Sequence, residues 1–334
     1  MQNKLVRQLI LLLLVVVLIS VGVIYFTFDI RALEYLTMFK PWSILGALGV
    51  LALGLFFDGT RLMQLTRVAG EELSIREAVN VVLSNYFLAL VTPGASGGAI
   101  AQIMFMKRAG IPVAKATAVV LVRTLMSIMF LIFLVPLVLH SDHNLVKWMP
   151  TSVITLVSLV FISLPIVAIF LMRTRYPEYW LVSLTAKCSR PLQRNCFGWY
   201  KEFKKASFLM GKNPVSVFRA FVESGVSLLA LYSVVPVFFK GFGLEVPYFL
   251  TMGRMVLLNL VLYFSPTPGG SGIAEGGFVV LFTPLLPSGI VGVMAVLWRL
   301  FCEYIPFLLG GVVTVRAFGA NVLSKITLRK KDVV

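Results

Sequence analysis

The chain has 334 residues, of which 59% are hydrophobic and 13% charged, and its mean hydropathy is +0.93. Soluble domains average roughly 45–50% apolar and about 25% charged residues, so this composition excludes a soluble globular protein. It predicts one polytopic integral membrane domain over residues 1–334. The net charge of +16 would favour nucleic acid in a soluble protein. In a membrane protein, basic residues are expected beside cytoplasmic headgroups, so we expect no nucleic-acid partner.

Apolar segments follow one another along the chain and predict an all-α fold. The first is too long for the apolar part of a signal peptide, and no small-residue cleavage site follows it, so we interpret it as an uncleaved membrane helix. The third and seventh contain Pro-Gly breaks. The segments lie at about 9–28, 41–58, 79–107, 116–139, 150–172, 214–239, 246–286 and 289–315.

The two breaks share a motif. Thr92-Pro-Gly-Ala-Ser-Gly97 recurs as Thr267-Pro-Gly-Gly-Ser-Gly272, and an asparagine precedes each copy, Asn85 and Asn259. Proline removes a backbone donor and glycine loosens the chain, so neither copy can continue a regular helix. Broken backbone at membrane depth is tolerated only where protein buries it or where it lines a polar cavity. Two such breaks in corresponding halves indicate the substrate site of a transporter.

The distribution of basic residues distinguishes two topologies for these broken segments. If both are re-entrant hairpins and the N-terminus is inside, 22 basic residues lie inside and four outside. If each crosses the membrane once, 12 lie inside and 14 outside. The positive-inside rule therefore favours two re-entrant hairpins, about six full crossings and cytoplasmic N- and C-termini. The pieces flanking the first break, about 79–92 and 97–107, are each too short for a membrane core of roughly 30 Å.

Three crossings separate the broken segments, so the hairpins would enter from opposite sides and form an inverted-topology repeat. The first repeat motif covers about 79–139 and the second about 246–315. A cytoplasmic interfacial linker, in which basic and aromatic residues alternate, is expected at about 173–213. We expect the two Thr-Pro-Gly loops to meet near mid-membrane across a pseudo-twofold axis.

Charged residues inside the predicted spans are the next candidates. Arg123 and Arg299 follow the two motifs at corresponding distances, and an intramembrane charge costs a few kcal/mol at least, so each is a functional hypothesis. The structural alternative is that Arg299 and Glu303, four residues apart, neutralise each other. Glu275 begins the half-helix after the second motif, where the first has Gln102. Its two interpretations are a helix cap and a contact with a proton or an amine.

A helix that begins at mid-membrane presents free backbone N–H groups and the positive end of its dipole, which together can bind an anion. Hydroxyls add donors, and arginines supply charge to a phosphate. We predict a binding site for a phosphate-bearing headgroup, with no catalytic residue, metal ligand or cofactor. The predicted substrate-binding residues are Asn85, Thr92, Pro93, Gly94, Ser96, Gly97, Arg123, Asn259, Thr267, Pro268, Gly269, Gly270, Ser271, Gly272, Glu275, Arg299 and Glu303.

The two motif stretches, Asn85 to Gly98 and Ser265 to Glu275, resemble the signatures of a known family. It is the flippase-like family, or lysylphosphatidylglycerol synthase transmembrane region, the flippase half of the multiple peptide resistance factor. The resemblance implies a flippase for lipids such as aminoacylated phosphatidylglycerol, or for lipid-linked intermediates, in a bacterial or archaeal cytoplasmic membrane. It also implies a role in antimicrobial peptide resistance.

Full-length resistance factors carry a soluble domain that transfers lysine from charged tRNA to the lipid. This chain ends at Val334 with a basic tail, so we expect that domain to be absent and the chain not to be an enzyme. Membrane lipids are the expected partners. A second copy of the chain and a separately encoded lipid-modifying enzyme are further candidates.

Two other functions stay open at this stage. A membrane-embedded lipid-modifying transferase would need a base, a nucleophile or a metal. The sequence offers two loop histidines, His140 and His143, no clustered carboxylates and no nucleotide-binding glycine loop. An ion or small-solute transporter is the other alternative, because re-entrant inverted repeats also serve ions. The lipid, the direction of transport and its energy source are left open.

Overall fold

In a computed structural model of the chain, the described residues are 39–142, 145, 152–161, isolated positions from 163 to 201, 213–287 and 289–331. These residues are helical and contain no strand, in agreement with the predicted all-α class. The predicted first span at 9–28 and most of the predicted linker at 173–213 lie outside the described residues, as does His143.

The described helices are numbered in chain order. Each motif turn carries a 3₁₀ turn, Pro93–Ala95 or Pro268–Gly270, and a π-helical turn at Leu300–Tyr304 precedes the last helix. The α-helices are α1 Trp42–Val68, α2 Ile75–Val91, α3 Ser96–Arg108, α4 Val113–Ser141, α5 Ser152–Phe161, α6 Pro214–Tyr232, α7 Val234–Gly241, α8 Tyr248–Leu262, α9 Ile273–Phe282, α10 Ile290–Arg299 and α11 Ile305–Lys331.

Four helical stretches are long and apolar enough to cross a membrane, so the chain is a membrane protein with several apolar helices. They coincide with four of the six predicted full crossings. The crossing predicted at 150–172 is described mainly over the short apolar helix α5. The four stretches are Trp42–Val68, Val113–Ser141, Pro214–Gly241 and Ile290–Phe318.

Both motif segments form pairs of short helices joined at the Pro-Gly turn. The helices have 17 and 13 residues in the first pair and 15 and 10 in the second. At 1.5 Å per residue they are about 15–26 Å long, less than a membrane core of about 30 Å. The members of each pair touch: a methyl group on Gly98 would lie 2.4 Å from Asn85 Oδ1, and one on Gly277 would lie 2.6 Å from Leu258 Cδ1. The helices are therefore broken where the sequence predicts.

The turns use left-handed backbone. Gly94 and Ala95 have φ of 60° and 52° in the first turn, and Gly269 and Gly270 have 56° and 69° in the second. A residue with a Cβ atom in this region costs roughly 1–2 kcal/mol, so Ala95 is strained where the second copy has glycine. Thr92 is extended, at φ −118° and ψ 142°, because the following proline disfavours helical backbone.

Two helices extend beyond their apolar segments. α2 begins at Ile75, ahead of the predicted 79, because Ser74 and Glu77 form a capping box. The Glu77 amide donates to Ser74 Oγ at 3.3 Å, and the Ser74 amide donates to Glu77 Oε2 at 2.9 Å. α1 continues past residue 58 to Val68, which places Asp58 and Arg61 inside the helix.

Polar contacts between helices fix their arrangement around the centre of the molecule. Ser227 Oγ on α6 donates to the Gly54 carbonyl on α1 at 2.8 Å. Arg254 on α8 is buried, and its Nε donates to Asp142 Oδ2 at 2.7 Å, while its Nη1 donates to the Leu281 carbonyl. Arg254 thus joins α8 to the ends of α4 and α9.

Candidate functional site: a polar cavity between the motif turns

The two motif turns meet in the structure, as expected from the sequence. Gly269 of the second turn approaches the end of α2 so closely that a methyl group there would lie 2.3 Å from Leu90 Cδ1. Beside the turns lies a cavity of about 440 Å³, within the size range of small-molecule sites. Its wall is formed by α1, α2, α3, α4, α6, α8, α10 and the π-helical turn, together with both motif turns.

Many of the residues predicted from the motifs line this cavity. Both asparagines that precede the motifs are among them, and so are residues of both turns. The predicted residues in its wall are Asn85, Gly94, Ser96, Arg123, Asn259, Thr267, Gly269, Gly270 and Glu303.

A buried cluster of Asp58, Arg61 and Arg123, here called the arginine-pair cluster, forms part of the wall. Arg61 Nε donates to Asp58 Oδ1 at 2.7 Å. Arg123 Nε donates to the same oxygen at 3.2 Å, and Arg123 Nη2 pairs with Asp58 Oδ2. Arg61 Nη1 also donates to Ser127 Oγ at 2.7 Å. Two guanidinium groups share one carboxylate, so the cluster has a net charge of about +1 by ordinary protonation.

The arginine-pair cluster is connected to the first motif through Gln102. Arg123 Nη1 donates to Gln102 Oε1 at 2.8 Å, and Gln102 Nε2 donates to Asn85 Oδ1 at 2.8 Å. Asn85 and Gln102 lie on α2 and α3, so this chain of hydrogen bonds spans the first helix pair. Asn85, which the sequence marks only as a residue before the break, thereby joins the arginine to the motif.

The second motif has a counterpart, the glutamate-pair cluster of Glu275, Arg299 and Glu303. Arg299 Nε donates to Glu275 Oε1 at 3.0 Å, and Arg299 Nη1 pairs with Glu303 and donates to the Gly269 carbonyl at 2.9 Å. Glu275 Oε2 accepts the Gly272 amide at 2.8 Å. Here two carboxylates share one guanidinium group, so the net charge is about −1. Arg299 and Glu275 are fully buried, whereas the Glu303 side chain is 22% exposed and lines the cavity.

Arg123 and Arg299 make corresponding contacts. Each reaches back to a side chain that follows its own motif, Arg123 to Gln102 and Arg299 to Glu275. The correspondence expected from the sequence is therefore present in the contacts. The chemistry differs, because the first position is a neutral amide and the second a carboxylate.

Several predicted residues form the turns and lie behind the cavity wall. Thr92 Oγ1 accepts the Gly97 amide at 2.8 Å, and Ser271 Oγ donates to the Pro268 carbonyl at 2.9 Å. Glu275 caps the start of α9 through Gly272. The backbone donors expected to bind an anion at the two helix starts are thus partly satisfied by the motifs themselves. The predicted residues outside the wall are Thr92, Gly97, Pro268, Ser271, Gly272, Glu275 and Arg299, and the side chain of Pro93 lies outside the described part of the chain.

Sequence reasoning missed Asp58 and Arg61 as site residues, as well as three cavity tyrosines, Tyr86, Tyr232 and Tyr263. The predicted second span ends at Asp58 and leaves Arg61 in the loop that follows, because the two charges interrupt its hydropathy. A signal was available, since residues 58 and 61 are one helical turn apart. The tyrosines come from three separate helical regions and share no local pattern.

The carboxylates and guanidinium groups of the cavity wall are arranged as ion pairs. Among the described residues, no group of three or more His, Cys, Asp or Glu side chains could hold a metal ion. His140 is at the end of α4, where its Nδ1 lies 2.9 Å from the Pro136 carbonyl.

Comparison with known proteins identifies the family. The family model described as "Lysylphosphatidylglycerol synthase TM region" matches residues 12–310. The chain belongs to this family. The match includes every residue of the cavity wall and both motif turns, which confirms the resemblance seen in the sequence.

A curated protein also resembles this chain over most of its length. The chain is 20% identical over 265 residues to a UPF0104 membrane protein of Archaeoglobus fulgidus, and the alignment covers 75% of this chain and 79% of the relative. The relative's name assigns it to a membrane and gives no substrate.

Proposed function

We propose that the chain is a lipid flippase that moves phosphate-bearing phospholipid or lipid-linked headgroups across the cytoplasmic membrane through the cavity. The observation that carries this proposal is the net positive charge of the arginine-pair cluster in the cavity wall. An uncompensated charge among long apolar helices is costly, and a bound anion lowers that cost. A phosphate group suits arginine, whose planar donors match its oxygens.

The family name supports a lipid as the bearer of that phosphate. It refers to lysylphosphatidylglycerol, a phospholipid with a phosphate and amino groups. The proposal extends to aminoacylated phosphatidylglycerol and other phosphate-bearing lipids, and to a role in resistance to antimicrobial peptides. Membrane lipids are its proposed partners, with a second copy of the chain and a separate lipid-modifying enzyme as further proposed ones.

The proposal includes a topology. Both helix pairs are re-entrant, the two halves form an inverted repeat with about six crossings, and both termini are cytoplasmic. Support comes from the short helices, from the contact between the two turns and from the corresponding contacts of Arg123 and Arg299. In such an arrangement the cavity lies where the two repeats face each other.

We propose further that the chain is not an enzyme. The carboxylates in the cavity wall, Asp58 and Glu303, are each paired with an arginine. For Asp58, which two guanidinium groups contact, such pairing favours the charged form and weakens the carboxylate as a general base. The cavity is therefore better suited to binding a charged group than to removing a proton from one.

Reconstitution tests the proposal. Purified protein is placed in liposomes with fluorescent phosphatidylglycerol, and an impermeant reagent quenches the outer leaflet. We expect lipid of the inner leaflet to become accessible faster than in protein-free vesicles. Accessibility at the protein-free rate for every phosphate-bearing lipid would contradict a flippase. Release of trapped ions or solutes in the same vesicles would instead favour the transporter of small solutes.

A further inference from the structure

The cavity wall has charges of both signs. Among the described residues of the wall, four are charged, namely Arg61, Arg123, Asp58 and Glu303, and the other polar groups are neutral. By ordinary protonation the wall has two positive and two negative charges. In the described part of the chain, no ion pair joins Glu303 to the arginine-pair cluster, so the charges form two separate groups.

Each cluster has charge left over after internal pairing. In the arginine-pair cluster, one carboxylate faces two guanidinium groups. In the glutamate-pair cluster, one guanidinium group faces two carboxylates. The surplus is therefore about one positive charge in the first cluster and one negative charge in the second.

The negative surplus reaches the cavity through Glu303. Glu275 is fully buried and binds both Arg299 and the Gly272 amide. Glu303 shares the same guanidinium group, but its side chain is partly exposed and lines the cavity. A ligand in the cavity can therefore contact Glu303 and not Glu275.

We propose that the headgroup moved by this protein is zwitterionic, with a phosphate near Arg61 and Arg123 and a single ammonium group near Glu303. This inference rests on the proposed flippase function and names its substrate class. Among the lipids of the proposed function, a purely anionic headgroup would leave the surplus carboxylate uncompensated, and a headgroup with two ammonium groups, such as that of lysylphosphatidylglycerol, would bring one positive charge too many. Charge that is unpaired away from water is costly, so these mismatches select against both.

The test compares transport of lipids that differ only in the headgroup. Liposomes containing the full chain receive fluorescent phosphatidylethanolamine, phosphatidylglycerol or lysylphosphatidylglycerol, and the flipping rate of each is measured by leaflet-specific quenching. We expect phosphatidylethanolamine, with one phosphate and one ammonium group, to move about tenfold faster than phosphatidylglycerol, the factor of one charge-assisted hydrogen bond. We expect lysylphosphatidylglycerol, with two ammonium groups, to move no faster than phosphatidylethanolamine.

Glu303→Gln tests the ammonium contact directly. The variant removes the charge and keeps an acceptor, so the preference for phosphatidylethanolamine over phosphatidylglycerol should fall to about one, while Glu303→Asp should retain most of it. The matched control is Glu223→Gln, because Glu223 pairs with Arg219 outside the cavity wall. The control should keep the wild-type preference.

Three outcomes would overturn the inference. Equal rates for phosphatidylethanolamine and phosphatidylglycerol in the wild type would do so without any variant, so the test does not depend on the folding of Glu303→Gln. An unchanged preference in folded Glu303→Gln would also do so, as would faster movement of lysylphosphatidylglycerol. In each case transport continues and the flippase proposal stands. Protein-free rates for all lipids would instead refute the flippase proposal, and this inference with it.

Discussion

Asp58 accepts hydrogen bonds from both Arg61 and Arg123, and this sharing decides what each arginine contributes. Either arginine alone would form a neutral pair with Asp58. The second arginine supplies the surplus charge that an anionic group can neutralise. The positive surplus of the cavity wall therefore depends on Arg61 as well as on Arg123, the arginine that follows the first motif.

Removal of one arginine should slow transport strongly without unfolding the protein. In Arg61→Ala or Arg123→Ala, Asp58 keeps the other arginine, so no carboxylate is left unpaired while the net charge of the cluster falls to zero. We expect flipping of phosphatidylglycerol to fall at least about tenfold and Arg123→Lys to recover part of it, because lysine has the charge without the planar donors.

The control is Arg219→Ala, since the Arg219 side chain is 68% exposed and pairs with Glu223 outside the wall. It should flip lipid at the wild-type rate. Wild-type rates in the Arg61 and Arg123 variants would reduce this cluster to a structural ion pair.

Glu275 is expected to act on stability and not on headgroup choice. In Glu275→Gln, Arg299 loses a charged partner but keeps Glu303, so we expect a loss of about 1–3 kcal/mol in the free energy of unfolding. The preference among headgroups should not change, because Glu275 lies behind the wall. Thermal unfolding and the flipping assay measure the two effects, and a changed headgroup preference at unchanged stability would contradict this assignment.

At the scale of elements, the two motif turns share a backbone path but differ at one position. Ala95 and Gly270 occupy corresponding left-handed positions, with φ of 52° and 69°. Only glycine adopts this conformation freely. The first turn is therefore more strained than the second, although its sequence differs by only one methyl group there.

Ala95→Gly should raise stability and Gly270→Ala should lower it. Relief of left-handed strain is worth roughly 1–2 kcal/mol, less the greater chain entropy of glycine when unfolded, about 0.4–1 kcal/mol. A methyl group on Gly270 would also lie 2.8 Å from Leu262 Cδ2. The loss of stability in Gly270→Ala should therefore be larger than the gain in Ala95→Gly. Thermal unfolding in detergent measures both. A higher melting temperature for Gly270→Ala would contradict this description of the turns.

At the scale of the whole molecule, the short helix pairs permit two topologies. In the proposed re-entrant arrangement, the loops before α2 and after α3 lie on one side of the membrane. If the pair crossed once, the same loops would lie on opposite sides. In the re-entrant arrangement, the loops before α8 and after α9 would lie together on the opposite side of the membrane from those of the first pair.

Cysteine labelling distinguishes these topologies. Single cysteines at Glu72 and Gly110, both exposed and flanking the first pair, should react with an impermeant thiol reagent from the cytoplasmic side, in a background without the native cysteines. Cysteines at Glu245 and Thr283, exposed and flanking the second pair, should react from the outside. Labelling of Glu72 and Gly110 from opposite sides would exclude a re-entrant first pair and the inverted repeat.

The sequence by itself determined the features that depend on composition and local backbone. High hydropathy indicates a membrane protein, and proline and glycine interrupt helices wherever they cluster, so the breaks at Thr92 and Thr267 could be located. The similar spacing of Arg123 and Arg299 from these breaks likewise predicted that the two arginines occupy corresponding positions. Even the unrecognised start of α2 had a local signal in Ser74 and Glu77.

Only the tertiary structure decided which charged groups share the cavity. Asp58 and Arg123 are 65 residues apart, and their pairing depends on the packing of α1 beside α4, which no local pattern contains. The packing also placed Arg299 and Glu275 behind the wall and left Glu303 at its surface. The balance of charge in a buried site is set by such long-range neighbours, because the low-dielectric interior makes each partner, or its absence, count.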